Sequence, residues 1–138
     1  MRVWIGDLCY VPSVGKDDKV WIPLVDDTFS DADAGTYRLT DGRQVVMRGT
    51  AYGDGTYPDQ NGKGYGVDSG TIGMIRADDL TEDDKKCDDM ALGHYYEIPV
   101  FATGVIDDGA TLTFGGTVII STGYNEDDWD DERSEWVA

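Results

Sequence analysis

A chain of 138 residues is one domain by length, and an apolar content of 40% is enough to build a packed core. The 28 acids stand against 11 bases, a formal net charge of −17, with Asp far outnumbering Glu. That field repels phosphates and anionic lipid, so it excludes direct binding of nucleic acid or membrane through the body of the protein and favours basic protein surfaces and divalent cations.

Read in chain order, the pattern is short β segments punctuated by Gly and Asp. "RVWI" at 2–5 and "LCYVP" at 8–12 read as strands, with Cys9 a buried, inert thiol. "DDKVWIPLVDDTFS" at 17–30 places Trp21, Leu24, Val25 and Phe29 at helical spacing, with Asp17 or Asp18 as the cap. Pro23 restricts that helix to one starting just before it. "TYRLTDGRQVVMRG" is a hairpin turning at Asp41-Gly42. "TIGMIRA" is a strand. "LTEDDKKCDDMALGH" reads as a helix capped by Thr81, with acids in its first turn, ending at Gly93. A meander follows over 95–123, turning near Asp108-Gly109 and Gly115-Gly116. Its run Val118-Ile119-Ile120 reads as a strand buried on both faces. The expected fold is mostly β, a β-rich α+β architecture: an antiparallel sandwich or open barrel with one or two short helices over residues 1–123, and an acidic tail at 124–138.

The opening "MRVWIGDLCY" lacks the apolar h-region of a secretory leader, and no run approaches the ~20 apolar residues of a membrane span. The expectation is a cytosolic protein whose two cysteines, Cys9 and Cys87, are free thiols.

Little in the chain points to catalysis. The single histidine, His94, has no nucleophile elbow or triad motif around it and reads as an edge residue beside two tyrosines. Cys87 sits among acids that blunt a thiolate. Cys9, Cys87 and His94 lack zinc-ligand spacing. Paired carboxylates carry no signal in so acidic a chain. The glycine-rich segment 51–73, "AYGDGTYPDQNGKGYGVDSGTIG", is no phosphate loop, since Lys63 precedes Gly64 rather than Ser or Thr. Asp59, Asn61 and Gly62 match part of a calcium loop without its distal Glu. The segment reads either as polar turns, in which Asp54 and Asp68 accept backbone N–H bonds, or as a ligand or metal loop of Asp54, Asp59, Asn61 and Asp68, with calcium as the cation.

Three blocks, "GDLCY" at Gly6–Tyr10, "GDGTY" at Gly53–Tyr57 and "VDSGTIG" at Val67–Gly73, resemble small uncharacterised proteins of tailed bacteriophages, in the same order and over about half the chain. Leu8 stands where Pro is common in that group, and Pro23 interrupts the helix expected next. The resemblance implies a viral accessory product working in the host bacterial cytoplasm. It implies no activity.

The tail "NEDDWDDERSEWVA" supplies the functional expectation. Trp129 and Trp136 lie a heptad apart among Asp127, Asp128, Asp130, Asp131 and Glu132, with Arg133 as the only base. Aromatic anchors among acids suit a basic partner. The reading is a non-enzymatic binder of a basic host protein, itself nucleic-acid-binding, acting as a DNA mimic or anti-defence inhibitor and using no cofactor. The alternatives are a β-rich module that binds calcium or a small ligand, a virion component, and an enzyme. An enzyme would require a cleft joining His94, a tyrosine and an acid of perturbed pKa.

Overall fold

The apolar runs at the start of the chain form the middle of a five-stranded antiparallel sheet. In the computed structural model, residues 1–30, 36–50, 54–85, 93–99, 105–107 and 111–122 are described. The sheet contains β1 (Arg2–Gly6), β2 (Thr36–Arg38), β3 (Gln44–Gly49), β6 (Thr71–Arg76) and β7 (Gly93–Glu97), in the order β2-β3-β6-β1-β7. A hairpin of β4 (Gly55–Pro58) and β5 (Gly64–Val67) and a three-stranded sheet, β10 (Val118–Ser121), β9 (Thr111–Phe114) and β8 (Val105–Asp107), complete the β structure. All the pairings are antiparallel, and the sheets do not close into a barrel. The β-rich α+β expectation therefore holds in its open, layered form.

Alternation along the central strands creates two cores. Val3, Ile5, Val46, Ile72 and Met74 face the small β elements, meeting Tyr57, Tyr65, Leu112, Phe114, Val118 and Ile120. Trp4, Val45, Met47 and Ile75 face the opposite way, onto Val14 of α1 (Pro12–Gly15) and Val20 and Leu24 of α2 (Asp18–Ser30). The order of layers is helices, five-stranded sheet, then hairpin and three-stranded sheet. The strands buried on both faces are thus β1, β3 and β6.

The run at 118–120 is corrected accordingly: Ile119 is 42% exposed, while Val118 and Ile120 are buried. The small sheet covers the core with one face only, and its other face meets water. The turn before it is as expected. Gly115 and Gly116 have φ of 59° and 75°, and the Thr117 N–H donates to the Phe114 carbonyl. The Asp41-Gly42 hairpin also forms, with Gly42 at φ 94° and its N–H bonded to Leu39.

Two local expectations fail for identifiable reasons. Leu8–Tyr10 is a 3-10 turn, not a strand, because the Asp7 carboxylate accepts the Cys9 N–H and turns the chain. Cys9 is consequently half-buried rather than sealed in a strand. The second failure is α2, which runs through Pro23 to Ser30. Asp17 caps it, accepting the Lys19 N–H, and burial of Val20 and Leu24 outweighs the bond that Pro23 cannot donate. Thr81 does cap the next turn: its hydroxyl accepts the Asp84 N–H while the Asp84 carboxylate accepts the Thr81 N–H. Residues 86–92 of that segment, Cys87 among them, the 108–109 turn and the tail with Asp127, Asp128, Trp129, Asp130, Asp131, Glu132 and Trp136 lie outside the described residues, and Gly93, expected at the helix end, opens β7. Among the described residues, no helix is long and apolar enough to cross a membrane.

Candidate functional site

Three buried carboxylates organise the polar interior. Asp7 follows β1 and is fully buried. Its Oδ2 accepts the N–H groups of Asp68 and Ser69, both at 2.8 Å, and its Oδ1 accepts the Cys9 N–H and the Ser69 hydroxyl. Ser69 Oγ lies 2.6 Å from the hydroxyl of Thr71. The first and third of the three sequence blocks are thereby tied together. The second adds Asp54, on whose carbonyl the Tyr57 hydroxyl rests at 3.4 Å.

Asp54 and Asp68 both reach this junction, and both are exposed there. With Asp7 they surround the 3-10 turn. Burial, the Cys9 thiol and the charges of Asp68, Asp7 and Asp54 push the Tyr10 hydroxyl up to about 12. Burial and Asp7 also raise the Cys9 thiol well above its ordinary value, so it is a poor nucleophile.

Asp59 and Asn61 lie at the far end of the β4–β5 hairpin. The four loop residues are therefore two separate pairs, because β4 and β5 stand between them. Asp59 is 7% exposed. Its Oδ1 accepts the N–H groups of Asn61 at 2.8 Å and Lys63 at 3.0 Å, and its Oδ2 accepts the Tyr65 hydroxyl at 2.7 Å and the Tyr96 hydroxyl in a short bond. Burial alone would raise this carboxyl, but the four donors together hold it below the usual carboxylate range. Tyr65 and Tyr96 are raised, first by burial and then through their mutual hydrogen bonding with Asp59. The ring of His94 stands edge-on to Tyr65, with centroids 4.9 Å apart, and its Nε2 lies 2.8 Å from the Gly64 carbonyl. The histidine, two tyrosines and an acid of perturbed pKa therefore do meet. They meet as an interior network joining the hairpin to β7, with every carboxylate oxygen of Asp59 bonded. Among the described residues no group of three or more His, Cys, Asp or Glu is placed to hold a metal ion.

The third carboxylate, Asp84, accepts the Ser13 N–H at 2.7 Å and the Ser13 hydroxyl at 2.5 Å, besides its bond to Thr81. Burial opposes its charge, and these donors overcome that and keep it below the ordinary range. Arg43 reaches the same point, donating to the Ser13 hydroxyl and carbonyl and to the Asp79 carbonyl, while pairing with Asp41 at 2.8 Å.

No protein-family model, curated protein or solved structure matches the chain.

The exposed acids among the described residues are spread over several elements, with Asp17, Asp18 and Asp26 at α2 and Glu97 at the end of β7. Asp41, Asp78, Glu82 and Asp83 are exposed around the Arg43–Ser13–Asp84 knot, and Asp54 and Asp68 are exposed around Tyr10. Sequence reasoning missed Asp7, Asp84, Ser13, Arg43 and Tyr96. For Asp7 and Asp84 a signal existed: Asp before a turn, and Asp three residues after Thr81, are local capping patterns. Tyr96 had none.

Proposed function

We propose that the protein is a non-enzymatic, strongly acidic binding protein whose partner is a basic, nucleic-acid-binding host protein. The observation that carries this reading is the division of labour among the carboxylates. Asp7, Asp59 and Asp84 are buried and fully bonded within the fold, so they are structural rather than reactive. Of the exposed acids among the described residues, Asp41, Asp78, Glu82 and Asp83 lie near the Arg43 knot and Asp54 and Asp68 near Tyr10, while Asp17, Asp18, Asp26 and Glu97 lie elsewhere, in a chain of net charge −17. Exposed carboxylates held on a folded support resemble the charge of a phosphate backbone, which supports action as a DNA mimic, and the Trp-bearing tail supplies aromatic anchors. The resemblance of the three blocks to phage proteins supports a viral accessory role in a bacterial cytoplasm.

The test is capture from bacterial lysate by the tagged full chain and by the chain lacking residues 124–138, each in low and high salt. The expected result is a DNA-binding protein retained at low salt, released by competing duplex DNA, and weakened without the tail. Captured proteins that ignore duplex DNA would sink the mimicry reading.

A further inference from the structure

A cavity of about 360 Å³ at the β1–β7 edge is lined by Arg2, Ala77, Asp78, Lys85 and Tyr95. It adjoins the acidic surface just described and shares Asp78 with it. A smaller hollow of about 140 Å³ shares Arg2 and Tyr95 and adds Tyr96 and Glu97. The Arg2 guanidinium lies 4.6 Å from the Tyr95 ring centroid, a cation–π contact. Among the described residues that guanidinium makes no hydrogen bond or ion pair, and neither does the Asp78 carboxylate. Lys85 has only a loose pair with the almost fully exposed Glu82, at 3.8 Å. Arg2 and Asp78, unpaired among the described residues, and the loosely paired Lys85 thus line one cavity, in a molecule whose interior carboxylates and Arg43 are saturated.

We infer that this cavity binds a small zwitterion of the amino-acid class, either a free amino acid or the termini of a short peptide. The carboxylate meets the planar fork of Arg2 and the ammonium of Lys85. The ligand's own ammonium meets Asp78. Its hydrocarbon part lies against Tyr95 and Ala77. A net-neutral ligand is favoured over a plain anion because the field of a −17 molecule opposes an anion's approach. The volume is in the range of small-molecule sites, roughly 300–1,000 Å³.

The test is a titration of the full chain followed by amide NMR shifts. The probes are L-phenylalanine, L-leucine, phenylalanyl-glycine and leucyl-glycine, beside 3-phenylpropionate, which lacks the ammonium, and phenethylamine, which lacks the carboxylate. The expected result is saturable shifts at Arg2, Ala77, Asp78, Lys85 and Tyr95 with a zwitterion, and binding at least about tenfold weaker for either singly charged probe. Tighter binding of the dipeptides than of the free amino acids would assign the source as peptide, and the reverse as free amino acid. Arg2→Gln and Asp78→Asn should each weaken binding about tenfold. Asp78 is in an exposed turn, so its variant carries the test if Arg2→Gln fails to fold. No saturable shift with any zwitterion, 3-phenylpropionate binding as tightly as L-phenylalanine, or unchanged affinity in the folded variants would overturn the inference.

Discussion

Asp59 shows how one carboxylate can join separate parts of a β protein. It accepts from its own turn, from Tyr65 across the hairpin and from Tyr96 on β7, and it forms a bridge to Ile120 of β10. Replacing it with Asn keeps the shape but turns one acceptor oxygen into a donor that faces donors. Asp59→Asn is expected to cost about 2–4 kcal/mol, read as a lower urea midpoint at unchanged slope. The acid limb of stability follows from the same bonds. Asp59 and Asp84 are both held below their ordinary value of 3.8. Their contribution is complete above that unfolded-state value and is lost as pH falls through the lower folded-state values. Urea unfolding from pH 6 down to pH 2 should show stability dropping below about pH 4, with a shallower drop in Asp59→Asn and Asp84→Asn. Equal slopes in all three proteins would refute the assignment.

At the scale of elements, three glycines in register explain how the helical layer sits on the sheet. Gly93, Gly6 and Gly73 are neighbours across β7, β1 and β6. The Trp4 indole lies over the first two and Leu8 over the third: a Cβ at Gly93 would stand 2.3 Å from Trp4 Cζ2 and 2.5 Å from the Ile5 carbonyl. Gly93→Ala is therefore expected to lose roughly 1–3 kcal/mol or more, and near-ultraviolet dichroism should report a displaced tryptophan. Wild-type stability with an unchanged Trp signal would refute the packing argument. Helix α2 makes the opposite prediction. Pro23 leaves the Lys19 carbonyl without its helical donor, and Pro23 itself is exposed. Pro23→Ala should raise stability by about 1–2 kcal/mol after allowing for the more flexible unfolded chain, read as a higher melting temperature. A lower melting temperature would mean that Pro23 itself is required for packing.

For the whole molecule the governing quantity is the net charge of −17. Exposed carboxylates repel one another over about 10 Å at 0.1 M salt, so added salt should raise stability smoothly while the chain stays folded in dilute buffer. Thermal unfolding between 10 mM and 1 M sodium chloride reads this directly. Unfolding on removal of salt would instead mark the acidity as adaptation to a saline environment, and would weaken the binding role proposed for the surface acids.

Local chemistry was legible in the sequence by itself. The hairpins at Asp41-Gly42 and Gly115-Gly116, the caps at Asp17 and Thr81 and the β-rich class all depend on residues within a few positions of one another. The expected acceptor role of Asp54 and Asp68 was not met: among the described residues neither carboxylate accepts a backbone N–H, and it is Asp7 that accepts the Asp68 and Ser69 N–H groups and fixes that turn. Only the tertiary structure decided the rest. Which strands are buried on both faces depended on the helices covering one side of the sheet, so β1, β3 and β6 took that place rather than Val118–Ile120. Pro23 was overridden by the burial of Val20 and Leu24. Of the many acids, three became interior fasteners because donors from far along the chain converged on them: Ser13 and Asp84 are 71 positions apart, and Asp59 and Tyr96 are 37 apart. A carboxylate's role depends on whether its lone pairs meet protein donors or water, and that is settled by packing, which one-dimensional spacing does not encode.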